Sequence, residues 1–313
     1  MEPSRFSTAP PPTPEPAESV EPSVARRAAR AVRSLASRCF SGVLYRVARD
    51  FVGGEELGDA LKVASRMASN DLNSTLGFWD APSYTVTRIT EIYFQAIEDC
   101  AACGLDTYVS IKPPALRFDP RLARDLSNFA MKKRVRLHCD SHGVEVAEDA
   151  LDFMKVMMES IDGALLGITI PCRWERSARD TEFAIEHQLN VRLVKGEWPD
   201  RAGQDRDPRR AFMETVDQLS GRARHVAVAS HNIPLALEAV NQLRASNTSC
   251  EFELLYGLPM KKLVESARAK QMKPRIYVPF GRGYAPHALK VFKTNPQLAL
   301  WLGKDRLSRL IGK

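Results

Sequence analysis

Residues 190–200 read NVRLVKGEWPD. Val191, Leu193 and Val194 are apolar and β-prone, as a strand buried between two layers should be. Arg192 interrupts that run, and Lys195 ends it directly before Gly196 and the acid Glu197. A core strand has no use for two cations at its tip, so the tip must face something other than core. Arg192 and Lys195 are three apart, an odd separation that sends side chains to opposite faces of a strand. The two cations therefore serve different tasks, one inside a mouth and one toward its rim.

Seven other segments behave the same way: STLGFWD (74–80), YVSIKP (108–113), RVRLHCD (134–140), LLGITIP (165–171), HVAVASH (225–231), CEFELLYG (250–257) and RIYVPFG (275–281). Helical stretches such as TRITEIYFQAIEDCAACG, AEDALDFMKVMMESI and LALEAVNQLRAS lie between them, so strands recur about every 25 to 35 residues. That alternation calls for parallel strands joined by crossover helices. Eight such units close a barrel, a fold of typically ~250 residues. No G-x-G-x-x-G follows the first strand, which disfavours an open, doubly wound dinucleotide-binding sheet. The expected architecture is α/β: a (β/α)8 TIM-type barrel over 71–313, behind a helical arm over 24–70 and a disordered tail over 1–23.

The tail, MEPSRFSTAPPPTPEPAESVEPS, is rich in proline and acid and poor in large apolar residues. It lacks the basic start and apolar run of a secretory signal. In the arm, Ala28, Val32, Leu35, Cys39, Val43, Val47 and Phe51 recur at helical spacing while Arg27, Arg30, Arg33 and Arg38 fall elsewhere. An amphipathic basic helix of this kind packs on a neighbour or makes weak membrane-surface contact.

Composition narrows the functional class. The 313 residues are 44% hydrophobic and 27% charged, which is globular. Six scattered cysteines do not form a disulfide framework, so a reducing, cytoplasmic setting is expected. Cys100 and Cys103 share a helical face and read as small core residues rather than a redox dithiol. The net charge of +7 points to anionic ligands. No basic run interleaved with aromatics suggests a nucleic-acid platform, and no apolar stretch reaches the ~20 residues of a membrane span.

A barrel's catalytic groups stand where strands end. The eight runs end on Asp80, Lys112, Asp140, Arg173 just past Pro171, Lys195, His231, Tyr256 and Tyr277. Strands covered on both faces should stay apolar, so polar tips on all of them predict a mouth lined with cations, carboxylates and phenols. Gly196, and the GRG of 281–283 after the last strand, would let backbone approach a phosphate.

With these residues placed, 52–295 resembles the proline dehydrogenase family of flavin-dependent barrels. VRLVKGEW is similar to the family's R-L-V-K-G-A-Y-W segment, VSIKP to its V-S-I-K strand and ASHN (229–232) to its A-T-H-N strand end. RIYVPFG resembles R-I-Y-A-P-V-G, and FVGGEELGDALKVASRM resembles the family's entry helix. The resemblance implies bound FAD. It places Arg192 by the isoalloxazine ring, Lys195 and Gly196 along the ribityl and pyrophosphate portion, and Trp198, His231 and Asn232 on the cofactor as well. Lys112, Asp140 and Tyr277 match residues that surround a small cyclic amino acid. The implied activity is oxidation of proline, or of a proline-like cyclic or secondary amine, to an imine by hydride transfer, with quinone or oxygen as electron acceptor.

Two departures qualify this. The family's Y-L-x-R-R-L-x-E-N, whose paired arginines clamp the substrate carboxylate, corresponds here to HALKVFKTN, with Lys290 and Val291 in the arginine places. A bidentate fork is thus replaced by at most one point charge. The segment after Lys-Gly is also shortened, which brings Glu197 beside the cofactor, to meet a cationic substrate or to cap a helix. Two other readings stay open: a Schiff-base aldolase-type barrel using Lys112 or Lys195, and a barrel that has lost its chemistry and acts as a binding protein.

Overall fold

The computed structural model describes residues 52–201, 203–284 and 286. The tail of 1–23, the arm's residues 24–51 and Lys290 lie outside the described residues.

The chain enters through helix α1 (Leu57–Ala68) and then alternates strictly. In order follow β1 (Asn73–Phe78), α2 (Val86–Ala102), β2 (Thr107–Ile111), α3 (Pro120–Lys133), β3 (Leu137–Cys139), α4 (Ala147–Met158) and β4 (Leu166–Pro171). Then come α5 (Ser177–Glu186), β5 (Asn190–Val194), α6 (Pro208–Leu219), β6 (His225–Val228), α7 (Ile233–Ala245), β7 (Cys250–Leu255), α8 (Lys261–Ala269) and β8 (Arg275–Phe280). All strand pairs are parallel, and β1 pairs with β8 from Asn73–Arg275 to Phe78–Phe280, which closes the barrel. The fold is the expected (β/α)8 barrel. β3 is the shortest strand, three residues against the seven of the β-like run that marked it.

Local sequence explains the boundaries. Asp119 and Asp207 each cap a helix that starts on proline, accepting from Arg121 N and Arg210 N at 2.8 Å. Proline at the first helical position gives up only an amide that would have been unpaired. Thr85 caps α2 through Arg88 N at 3.2 Å. Pro113 and Pro114 end β2, because neither can donate to a sheet ladder, and they leave Lys112 at the strand tip.

One set of alternate strand residues faces the helices: Leu76, Ile111, Leu193, Val228, Leu254 and Val278 are all fully buried in the apolar core. The other set faces the lumen and is polar along its whole height. Thr75, Ser110, His138, Arg192, Glu253 and Arg275 are each no more than 4% exposed. This corrects the expectation that polarity is confined to strand tips. A barrel lumen holds charged side chains when opposite charges meet across it, and here they do.

Candidate active site

Asp140 stands just past β3 and is the hub of the C-terminal mouth. Its Oδ1 accepts from Ser110 Oγ at 2.5 Å and from Arg192 Nη1 at 2.6 Å. Its Oδ2 accepts from Lys112 Nζ at 3.0 Å and from Tyr277 Oη at 2.8 Å. Strands β2, β3, β5 and β8 thus meet on one carboxylate. Burial alone would push its pKa up, but the Lys112 and Arg192 charges outweigh burial and hold it well below the usual carboxylate range. Burial, reinforced by the Asp140 charge, raises the Tyr277 phenol far above its ordinary value, so it stays a donor.

Arg192 is not at a strand tip. It lies inside β5, 4% exposed, and its second partner is Glu253 of β7. The pair is a two-pronged fork, Nε to Oε2 and Nη2 to Oε1, both 2.8 Å. Thr75 Oγ1 donates to the same carboxylate at 3.0 Å. Two cations, Lys112 and Arg192, are therefore balanced by two carboxylates, Asp140 and Glu253. Removing charges from water is costly, and only such closed pairing offsets it. Nothing in the sequence reading marked Glu253; the signal was available in CEFELLYG, where Glu251 and Glu253 share the parity of one strand face.

Tyr277 reaches Asp140 because Gly77 on the neighbouring strand leaves room. A Cβ on Gly77 would lie 2.1 Å from the phenol oxygen.

Above this floor lies a cavity of about 460 Å³, within the usual size range of small-molecule sites. Trp79 and Trp198 form walls, and Lys112 Nζ sits 4.5 Å from the Trp79 ring centroid. His142 stacks on Trp198 at 6.4 Å and 11°. Its buried Nδ1 has no hydrogen-bond partner. Burial, with the Lys112 charge, pushes the His142 pKa down to about 4, so the ring is neutral at pH 7.

Of the residues expected at the site, Lys112, Asp140, Tyr277, Glu197, Arg192, Trp198 and His231 line this one cavity. Both His231 nitrogens are engaged, Nε2 accepting from Leu255 N at 2.9 Å and Nδ1 facing Pro259 O at 3.2 Å. Lys195, Gly196 and Asn232 do not line it. Asn232 caps α7 by accepting from Leu235 N at 3.1 Å. Gly196 turns the chain at φ +95°, with Arg173 and Pro171 packed 3.0 Å from where a Cβ would stand. Arg173 is turned away onto Asp205, at 2.8 and 2.6 Å, and Tyr256 is likewise outside the lining. The GRG loop is not built for phosphate. Gly281 N donates to Gly54 O at 3.0 Å and Gly283 N to Trp79 O at 3.1 Å. A Cβ on Gly283 would stand 1.9 Å from Asp80 O, so the glycine serves close backbone packing.

No protein-family profile and no curated protein matches the sequence. Solved structures do match. Proline utilization A (PutA) from Bdellovibrio bacteriovorus, inactivated by N-propargylglycine, superposes with a TM-score of 0.70 at 19% identity, over 82% of this chain and 34% of that one. The barrel is similar to that of proline utilization A. The Bradyrhizobium japonicum protein of the same name gives a TM-score of 0.58 at 17% identity, over 70% of this chain and 28% of that one. At such identities the likeness establishes the fold, and the chain spans about a third of the length of the proteins it matches. Among the described residues no helix is long and apolar enough to cross a membrane, and no cluster of side chains has metal-ligand geometry.

Proposed function

We propose that this chain is a flavin-dependent oxidoreductase that takes a hydride from the carbon beside the nitrogen of a proline-like cyclic or secondary amine, leaving an imine. The observation that carries the reading is the Asp140 hub with Lys112, Arg192 and Tyr277, set under a tryptophan-walled cavity at the C-terminal mouth of a barrel like that of proline utilization A. Of the segments that resemble the proline dehydrogenase family, VSIKP, VRLVKGEW, ASHN and RIYVPFG lie on or directly after strands β2, β5, β6 and β8, and FVGGEELGDALKVASRM runs into α1.

The residues suit a planar heteroaromatic ring with polar edges. Trp79 and Trp198 offer apolar faces, and Lys112 and Arg192, balanced by Asp140 and Glu253, form a polar floor. Bound FAD would supply the hydride acceptor that no side chain of the barrel provides, with quinone or oxygen taking up the electrons. Lys195 lies beyond the cavity and, among the described residues, its ammonium has no hydrogen-bond or ion-pair partner, which leaves it for the more distant anionic part of a cofactor.

The protein's own groups bind and orient. Asp140 is held ionised and is a weak base at neutral pH, so its work is to fix Lys112 and Tyr277 rather than to take a proton. Neutral His142 stacks on Trp198 and lines the same cavity. Hydride loss leaves positive charge on the substrate nitrogen, and Asp80 and Glu197 line the same cavity to face it. The tryptophans keep water from the reacting centre. Lys112 Nζ is engaged by Asp140 at 3.0 Å, which does not favour a Schiff-base nucleophile.

The test is reconstitution with FAD followed by a panel of amines. Yellow protein that bleaches with cyclic or secondary amines is expected. Proline should lack the advantage over its carboxylate-free analogues that one charge-assisted bond, worth roughly 1.5–3 kcal/mol or about 10- to 150-fold, would give it. Protein that stays colourless with added FAD, or bound flavin that no amine reduces, rejects the proposal.

A further inference from the structure

The lumen has a second opening. Around the N-terminal ends of the strands lies a polar basin of about 750 Å³, on the opposite side of the barrel from the mouth. Its charges are unevenly satisfied. Arg275 is saturated: it donates to Glu251 Oε1 at 2.7 Å, to Ser74 O at 2.7 Å and to Asp106 Oδ1 at 2.9 Å. Lys133 and Lys273 are spent at the rim on Glu98 and Asp71.

Arg136 is different. Its guanidinium lies 3.8 Å from the centroid of the Tyr108 ring, and its side chain is only 18% exposed. The nearest carboxylate oxygen, Glu251 Oε1, is 3.9 Å away and already holds Arg275. Among the described residues nothing accepts a hydrogen bond from any of its five N–H groups. One further polar atom on the same basin is also unsatisfied. Thr107 Oγ1 is buried without a partner, whereas His225 Nε2 faces Glu251 Oε1 at 3.3 Å and its Nδ1 lies 2.8 Å from Ser249 Oγ. Arg134, just past α3, adds a second cation with no side-chain partner among the described residues. A part-buried guanidinium held over an aromatic ring, with its N–H groups unanswered, can receive an oxyanion two-pronged.

We propose that this basin binds a small oxyanion, a phosphate or a carboxylate, with Arg136 as the anchor and Arg134 as a further donor. The site is separate from the mouth and independent of any reading of its chemistry. The two are one ring apart, since the Tyr108 hydroxyl lies 3.4 Å from both Glu253 Oε2 and Arg192 Nη2.

The experiment is thermal denaturation of the full chain in low-salt buffer titrated with inorganic phosphate, and separately with acetate and succinate, against sodium chloride of equal ionic strength. A saturable rise in Tm beyond the chloride control is expected for at least one oxyanion. The arm that responds identifies the ligand chemistry. Arg136→Gln should abolish the rise, and Arg136→Lys, which keeps charge but loses the fork, should weaken the midpoint about tenfold. Arg134→Gln should weaken it severalfold. No saturable response to any oxyanion, or an unchanged response in Arg136→Gln, overturns the proposal. Should Arg136→Gln not fold, unchanged midpoints in both Arg136→Lys and Arg134→Gln overturn it equally.

Discussion

The two ends of the barrel lumen each hold a buried arginine answered by a glutamate, Arg192 and Arg275, but the basin adds a further arginine, Arg136, left in the opposite state. At the mouth, Arg192 is forked onto Glu253 and also holds Asp140, so every charge of the floor is answered from within the chain. At the basin, Arg136 rests on Tyr108 with its donors unanswered. The difference teaches that charge in a barrel interior is not one phenomenon. A closed network sets the shape of a floor, whereas an open one waits for a partner from outside.

The contrast is sharpest at Glu253. Glu253→Ala strands Arg192 in a nearly water-free position and should cost about 3–5 kcal/mol of folding free energy, read by urea denaturation. A loss under ~1 kcal/mol would mean that the Arg192 charge is already satisfied by Asp140 alone. Next comes pH. Burial holds the His142 pKa at about 4, and burial likewise lowers His138 and His231. The unfolded chain takes up protons below its ordinary imidazole value of ~6.5 while the folded chain resists them. Stability should therefore fall as pH drops from about 6.5 to about 4, by about 3 kcal/mol from His142 alone. His142→Gln should flatten that slope in denaturation curves taken across the range, and an unaltered slope would remove His142 from the account. The smallest effect belongs to the open end. Without oxyanion, Arg136→Gln should change stability by less than about 1 kcal/mol, because it breaks only the cation–ring contact with Tyr108 and a 3.9 Å approach to Glu251. A cost as large as that of Glu253→Ala would show Arg136 to be closed after all.

The sequence made the barrel legible because each strand is a short apolar run, each gap holds one helical pattern, and turn chemistry separates them. Lys112, Asp140 and Tyr277 were legible for a related reason, as polar residues ending apolar runs. Position at a strand end does not say which way a side chain turns, however. Arg173, Lys195 and Tyr256 satisfied the same rule and left the cavity, Arg173 because Asp205 on a later loop captured it. Glu253 was hidden for the converse reason. It lies inside a strand, where a charge looks like an error until its partner across the lumen is known, and that partner is 61 residues away in sequence. His142 belongs to a loop, and no periodicity singles out a loop histidine.

Gly77 carries a quieter consequence. It bears no charge and touches no ligand, yet any side chain there would collide with the phenol that grips Asp140. The mouth is thus defined partly by a vacancy. A descendant that acquired alanine at this position would keep its full complement of acids and bases, pass any inventory of reactive groups, and still have its machinery wedged out of alignment.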